Sequence, residues 1–119
     1  MPDSQMYEGG CHCGRVRFQA TSDLAHVASC NCSICSKRGA LWAFVKAPQF
    51  KLLEGEDALT DYQFAKKTIH HRFCQSCGVG SYSQGLAPNG EETFAVNVRC
   101  LDGVDVTALK PVPFDGKSL

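Results

Sequence analysis

Eight cysteines stand in a chain of 119 residues, and seven of them fall into three tight groups. Cys11-His12-Cys13 comes first, Cys30-Asn31-Cys32-Ser33-Ile34-Cys35 second, and Cys74-Gln75-Ser76-Cys77 third. Thiolates at C-x-C and C-x2-C spacing chelate soft cations such as Zn²⁺; structural sites close with four ligands, while catalytic sites leave a position open. The outer pairs supply four thiols and the central cluster three. That arithmetic predicts one closed zinc site and one open one, so two zinc ions per chain. Chemistry is expected at the open one.

Two alternatives stay open at this level. Cys100 is the unassigned cysteine, and as a fourth ligand it would turn the central cluster into a second structural site; as a small buried hydrophobe it would leave that cluster open. The eight cysteines could also build a disulfide scaffold, but that needs an oxidising compartment. The N-terminus Met1-Pro2-Asp3-Ser4-Gln5 lacks the charged-then-apolar pattern of a secretion signal, and no run approaches the length of a membrane span. The chain is therefore expected to be cytoplasmic, and metal is preferred to disulfides.

Charge excludes other classes. Twelve basic and twelve acidic side chains cancel, so nothing steers the protein to nucleic acid or an anionic membrane. No phosphate-cradling glycine loop and no Ser-His-Asp order is present. His12 lies inside the first cysteine pair, and His70 and His71 point to opposite faces of an expected strand; none is assigned as a ligand. Lys37, Arg38 and Arg99 stand close to the cysteines and either offset their negative charge or are plain surface residues.

The elements that must carry these groups read as mainly β. Residues 15–20 alternate, with Val16, Phe18 and Ala20 on one face and Arg15 and Arg17 on the solvated one. Further strands are expected over 40–45, from Phe50 to Leu53, over 59–64 and 68–73, and through Phe94, Val96 and Val98. A polar turn is expected at Lys66-Lys67 and a loop at Ala87-Pro88-Asn89-Gly90. Residues 1–10 read as a flexible approach to Cys11, with Gly14 suiting a tight knuckle after Cys13. A short helix is expected over 104–109, led by Asp102 or Asp105. The tail with Pro111 and Pro113 reads as irregular. With no repeat or linker, one domain over 1–119 is expected.

Gly10-Cys11-His12-Cys13-Gly14, the central Cys-Asn-Cys-Ser-Ile-Cys, Phe73-Cys74-Gln75-Ser76-Cys77-Gly78 and Asn97-Val98-Arg99-Cys100-Leu101-Asp102 together resemble the Gfa family. These are the glutathione-dependent formaldehyde-activating enzymes and their relatives, including centromere protein V; the match runs from about Gly9 to about Asp105. The resemblance implies a β-tent fold of small stacked antiparallel sheets around two zinc sites. It implies a structural zinc on Cys11, Cys13, Cys74 and Cys77 and a catalytic zinc on Cys30, Cys32 and Cys35. The implied activity is that of a carbon–sulfur lyase, joining or cleaving a glutathione-like thiol and a formaldehyde-like aldehyde as a hemithioacetal. The alternative is a non-catalytic two-zinc structural or protein-interaction module. The resemblance does not identify the residues that would grip the rest of the thiol.

Overall fold

The computed structural model describes residues 4–64, 69–87 and 89–115. The expected turn at Lys66-Lys67 and the residue Pro88 lie outside them. The fold is mainly β, as the alternation predicts. Ten strands form two sheets: β1 (Gln5–Gly10), β2 (Arg17–Ser22), β3 (Val27–Cys30), β4 (Leu41–Lys46), β5 (Phe50–Glu54), β6 (Leu59–Tyr62), β7 (His70–Cys74), β8 (Tyr82–Leu86), β9 (Glu92–Asn97) and β10 (Val112–Phe114). A small sheet runs β1-β2-β5, and a seven-stranded sheet runs β10-β3-β4-β9-β8-β7-β6. Every pairing is antiparallel except β10 with β3.

Strand alternation sends one side chain in two to each face. From β4, Leu41, Ala43 and Val45 enter the core; from β9, Phe94 and Val96; from β2, Phe18 and Ala20. Phe50 joins the sheets by stacking on Phe18 at 5.6 Å and on Phe94 at 4.2 Å between ring centroids. The stack on Phe94 crosses from the small sheet to the large one and helps to tie the two together. The opposite side chains of the large sheet, among them Trp42, Ala95, Ser83 and His71, form its outer face.

Five regions depart from expectation. Residues 5–10 are not a flexible approach but strand β1, paired from Gln5↔Ser22 to Gly10↔Arg17. Gly9 and Gly10 serve close packing here: a Cβ on Gly9 would stand 2.4 Å from the Cys100 carbonyl oxygen, and one on Gly10 would stand 2.1 Å from that of Val16. The tail is not irregular, since Val112, Pro113 and Phe114 pair with Ala28, Ser29 and Cys30. Pro113 is tolerated because β10 lies at the sheet edge, where a missing N–H breaks no ladder. Strand β8 lies where no strand was expected, and the alternation through Phe94 and Val96 stops at Asn97, with Val98–Cys100 in a 3-10 turn. The helix expected over 104–109 shrinks to a 3-10 turn at Val106–Ala108, capped by Asp105, whose carboxylate accepts from the Thr107 backbone N–H at 3.0 Å.

Candidate metal centres

Cys11 and Cys13 lie on the turn between β1 and β2, and Cys74 and Cys77 on the turn that leaves β7. Their four sulfurs all lie within 4.8 Å of one another. Cys13 Sγ stands 3.6 Å from Cys11 Sγ and 3.6 Å from Cys74 Sγ. Four ligands at the usual zinc–sulfur distance would have edges of about 3.8 Å, so the group is already at coordination spacing. All eight cysteines are free thiols. Backbone amides are aimed at the sulfurs: Val16 N–H donates to Cys11 at 3.4 Å, and Ser76 N–H to Cys74 at 3.3 Å. Gly14, at φ 84°, supplies the left-handed turn that folds the first pair back. Cys11, Val16, Ala58 and Cys74 form a small buried cluster of their own.

The titration of this group shows what it lacks. At Cys77 burial raises the pKa, but hydrogen bonds from the Val79 and Cys13 backbone and the Cys11 and Cys74 thiols outweigh it and bring it down to about 6. At Cys13 the Arg15 backbone pulls down, while loss of water and the thiols of Cys11, Cys74 and Cys77 push it up to about 11. Sulfurs this close cannot all ionise by themselves. A divalent cation would let all four do so, and in that sense the residues fit zinc.

The second group sits on the loop that leaves β3 and enters a one-turn helix, α1 (Cys35–Arg38). The sulfurs of Cys30, Cys32 and Cys35 lie within 4.8 Å of one another, and among the described residues no fourth Cys, His, Asp or Glu atom lies that close to all three. Cys32 N–H donates to Cys30 Sγ at 3.4 Å, and the indole N–H of Trp42 donates to Cys35 Sγ at 3.2 Å. Burial pushes the Cys35 thiol up to about 12 in spite of that indole bond, with the Cys32 thiol adding to it. Burial also raises Cys32, but the backbone and thiol of Cys35 outweigh it, and its pKa falls below the ordinary value. The set again fits a cation that prefers sulfur.

Cys100 is not part of this second group. Its sulfur points to the Gly80 carbonyl at 4.0 Å, and burial raises its pKa, with the charges of Cys11 and Cys77 adding to the rise. It therefore lies on the side of the four-sulfur group. His12 is exposed, and His70 pairs with Asp61 at 2.7 Å. His71 is buried on the outer sheet face, 3.3 Å from Ser83 Oγ and stacked on Phe64. Arg99 donates to the Gly39 carbonyl at 3.3 Å, where α1 ends, and Arg38 lies over the ring of Phe73. Trp42 is the contributor that sequence reading placed only in a strand. Its signal was there, as a lone tryptophan on the strand that follows the cysteines.

Among the described residues no helix is long and apolar enough to cross a membrane. A family model described as glutathione-dependent formaldehyde-activating enzyme matches residues 6–113. The crystal structure of a Rhodobacter sphaeroides protein superposes with a TM-score of 0.80 at 35% sequence identity, covering 89% of this chain and 97% of that one.

Proposed function

Because the chain belongs to the family of glutathione-dependent formaldehyde-activating enzymes, we propose that it joins a thiol to a small aldehyde, and cleaves the adduct, at Cys30, Cys32 and Cys35. The observation that carries this reading is the difference in ligand count. One sulfur group is a complete four-ligand set, and the other has three members with no fourth among the described residues. Cys11, Cys13, Cys74 and Cys77 take the structural role, and zinc is the metal the donor set favours at both. At the three-sulfur group zinc would supply the positive charge that keeps an incoming thiol deprotonated at neutral pH.

The protein's own part is to hold the sulfurs in place and to keep their charge compensated. Trp42 and the Cys32 backbone donate to Cys35 and Cys30, and Arg99 fixes the end of the helix that carries Cys35. In the reaction the thiol loses its proton and its sulfur forms the bond to the carbonyl carbon. The carbonyl electron pair moves to oxygen, and a proton returns there to give the hydroxyl of a hemithioacetal. Cleavage runs the same steps backwards, with no change of oxidation state. Glutathione and formaldehyde are the substrate pair that the family description supports.

Exchange spectroscopy on zinc-loaded protein tests this. The expected result is acceleration of interchange between glutathione and its hydroxymethyl adduct over the buffer rate, lost in Cys32→Ser. Two zinc ions per chain with no acceleration for any thiol–aldehyde pair would contradict it. A second reading, a protein-interaction module, is favoured by one observation, the exposed apolar side chains of Phe44, Leu86 and Phe114 on the large sheet and of Ile69 just before β7. The same measurement separates the two.

A further inference from the structure

Beside the three-sulfur group lies a pocket of about 360 Å³ lined by Ser33, Ile34, Lys37, Arg38, Tyr62 and Phe64. Ser33 and Ile34 are the two residues between Cys32 and Cys35. Ile34 also packs against the cluster of Cys35, Ala40 and Trp42, so one side chain touches both the pocket and the cysteine cluster. The remaining lining falls into two halves. Tyr62 and Phe64, with ring centroids 5.7 Å apart, form an aromatic side backed by His71. Lys37 and Arg38 form a cationic side.

The cationic half is poor in counterions. Among the described residues neither Lys37 nor Arg38 forms an ion pair with an acidic side chain. The nearby carboxylate of Asp61 is engaged by His70 at 2.7 Å. Arg38 is positioned all the same: its guanidinium carbon lies 5.9 Å from the centre of the Phe73 ring, and Gly80 leaves it room. A Cβ at position 80 would stand 2.9 Å from Arg38 Nη1. Two cations beside an aromatic wall, next to a thiol-accepting site, match a ligand that carries carboxylates some bonds away from its sulfur. A small neutral aldehyde can use neither half.

We propose that this pocket receives a carboxylate of the thiol substrate, held by Lys37 and Arg38, and so selects acidic peptide thiols over uncharged ones. The inference rests on the thiol–aldehyde reading for its choice of ligand, but the pocket is tested apart from it. Glutathione would place its sulfur at the cysteines and one of its two carboxylate ends past Ile34. The aromatic wall would take the apolar stretch between them. Binding energy gained at this remote end would hold the sulfur in place while the bond forms.

The experiment uses zinc-loaded, ¹⁵N-labelled protein and two probes, each with half of the recognition. S-methylglutathione has the carboxylates but no free thiol, and 2-mercaptoethanol has the thiol but no carboxylate. S-methylglutathione is expected to shift amide signals in residues 33–38 and 62–64, and its affinity should fall at least tenfold in a Lys37→Gln/Arg38→Gln variant. Arg38→Lys, which keeps the charge, should fall between. Affinity for 2-mercaptoethanol should fall by at least tenfold less than that for S-methylglutathione. S-methylglutathione that leaves those signals unmoved, binds the double variant as it binds wild type, or binds no better than its diethyl ester would overturn the pocket. Failure of free glutathione to bind wild type any better than S-methylglutathione would instead overturn the thiol–aldehyde reading, while the pocket still stands or falls with S-methylglutathione.

Discussion

The two sulfur groups use one ligand chemistry in opposite settings. The four-sulfur group joins two turns 61 residues apart and holds Cys11 and Cys74 in the interior. The three-sulfur group comes from a single loop, with only Cys35 of its members buried. A cross-link across a loop of the first kind removes on the order of 4 kcal/mol of chain entropy from the unfolded state. A metal held within six neighbouring residues constrains little beyond that loop. Chain span thus sets how much a bound metal adds to the fold, while the number of ligands sets whether a position stays open for chemistry.

The largest effect should come from cutting the long-range group. Cys74→Ser leaves a fully buried ligand position without its sulfur. Structural zinc contributes an apparent folding energy of about 10–16 kcal/mol, as much as a whole domain's stability. The variant should unfold or precipitate, whereas Cys32→Ser should stay folded with one zinc. Thermal unfolding and metal analysis of the pair decide it, and equal loss of stability in both would erase the contrast between the groups.

Next in size is metal retention. With one ligand fewer and a more exposed setting, the three-sulfur group should yield its zinc to a chelator at least tenfold faster than the other. Release followed with a colorimetric indicator should show two phases of one equivalent each. A single phase would mean that the groups hold metal alike.

A smaller effect should follow Trp42→Phe, which removes the only indole donor to Cys35. Outer hydrogen bonds of this kind typically affect metal affinity 10–100-fold. The second site should weaken by that factor, with the four-sulfur site unchanged and about 1–3 kcal/mol lost in stability. An unchanged second site would show that the indole merely fills space.

The smallest effect is expected at His71, on the face that the three-sulfur group shares. Burial, with the charge of Arg38 second, holds its pKa below the ordinary 6.5. As pH falls through 6.5 the unfolded chain takes up this proton first, so stability is full above that value and declines toward the lower folded value. His71→Phe should flatten that acid slope in denaturation measured on both sides of pH 6.5. Parallel slopes for the two proteins would refute the assignment.

The cysteine spacing made the four-plus-three partition legible, and the alternation in β2, β4 and β9 made the sheet class legible. The rest depended on contacts distant in sequence. Strand β8 hid because Ser83, Gln84 and Gly85 carry no apolar alternation; Ser83 is buried between strands, with His71 on one side and Ala95 on the other. Strand β10 hid because Pro113 is permitted only by an edge position that the tail itself does not reveal. Cys100 could be assigned only once its sulfur was seen to face the Gly80 carbonyl, 20 residues away in sequence.

The strand order has a consequence for how the molecule is made. β9 lies between β4 and β8, so the large sheet cannot close until Asn97 has been synthesised. The four-sulfur set is complete twenty residues earlier, when Cys77 emerges. On a translating ribosome the metal clip can therefore be fastened first. It would hold β1, β2 and β7 together while the hydrophobic gap beside β4 waits for its missing strand. A metal present during synthesis, and not only after it, would then favour the folded state.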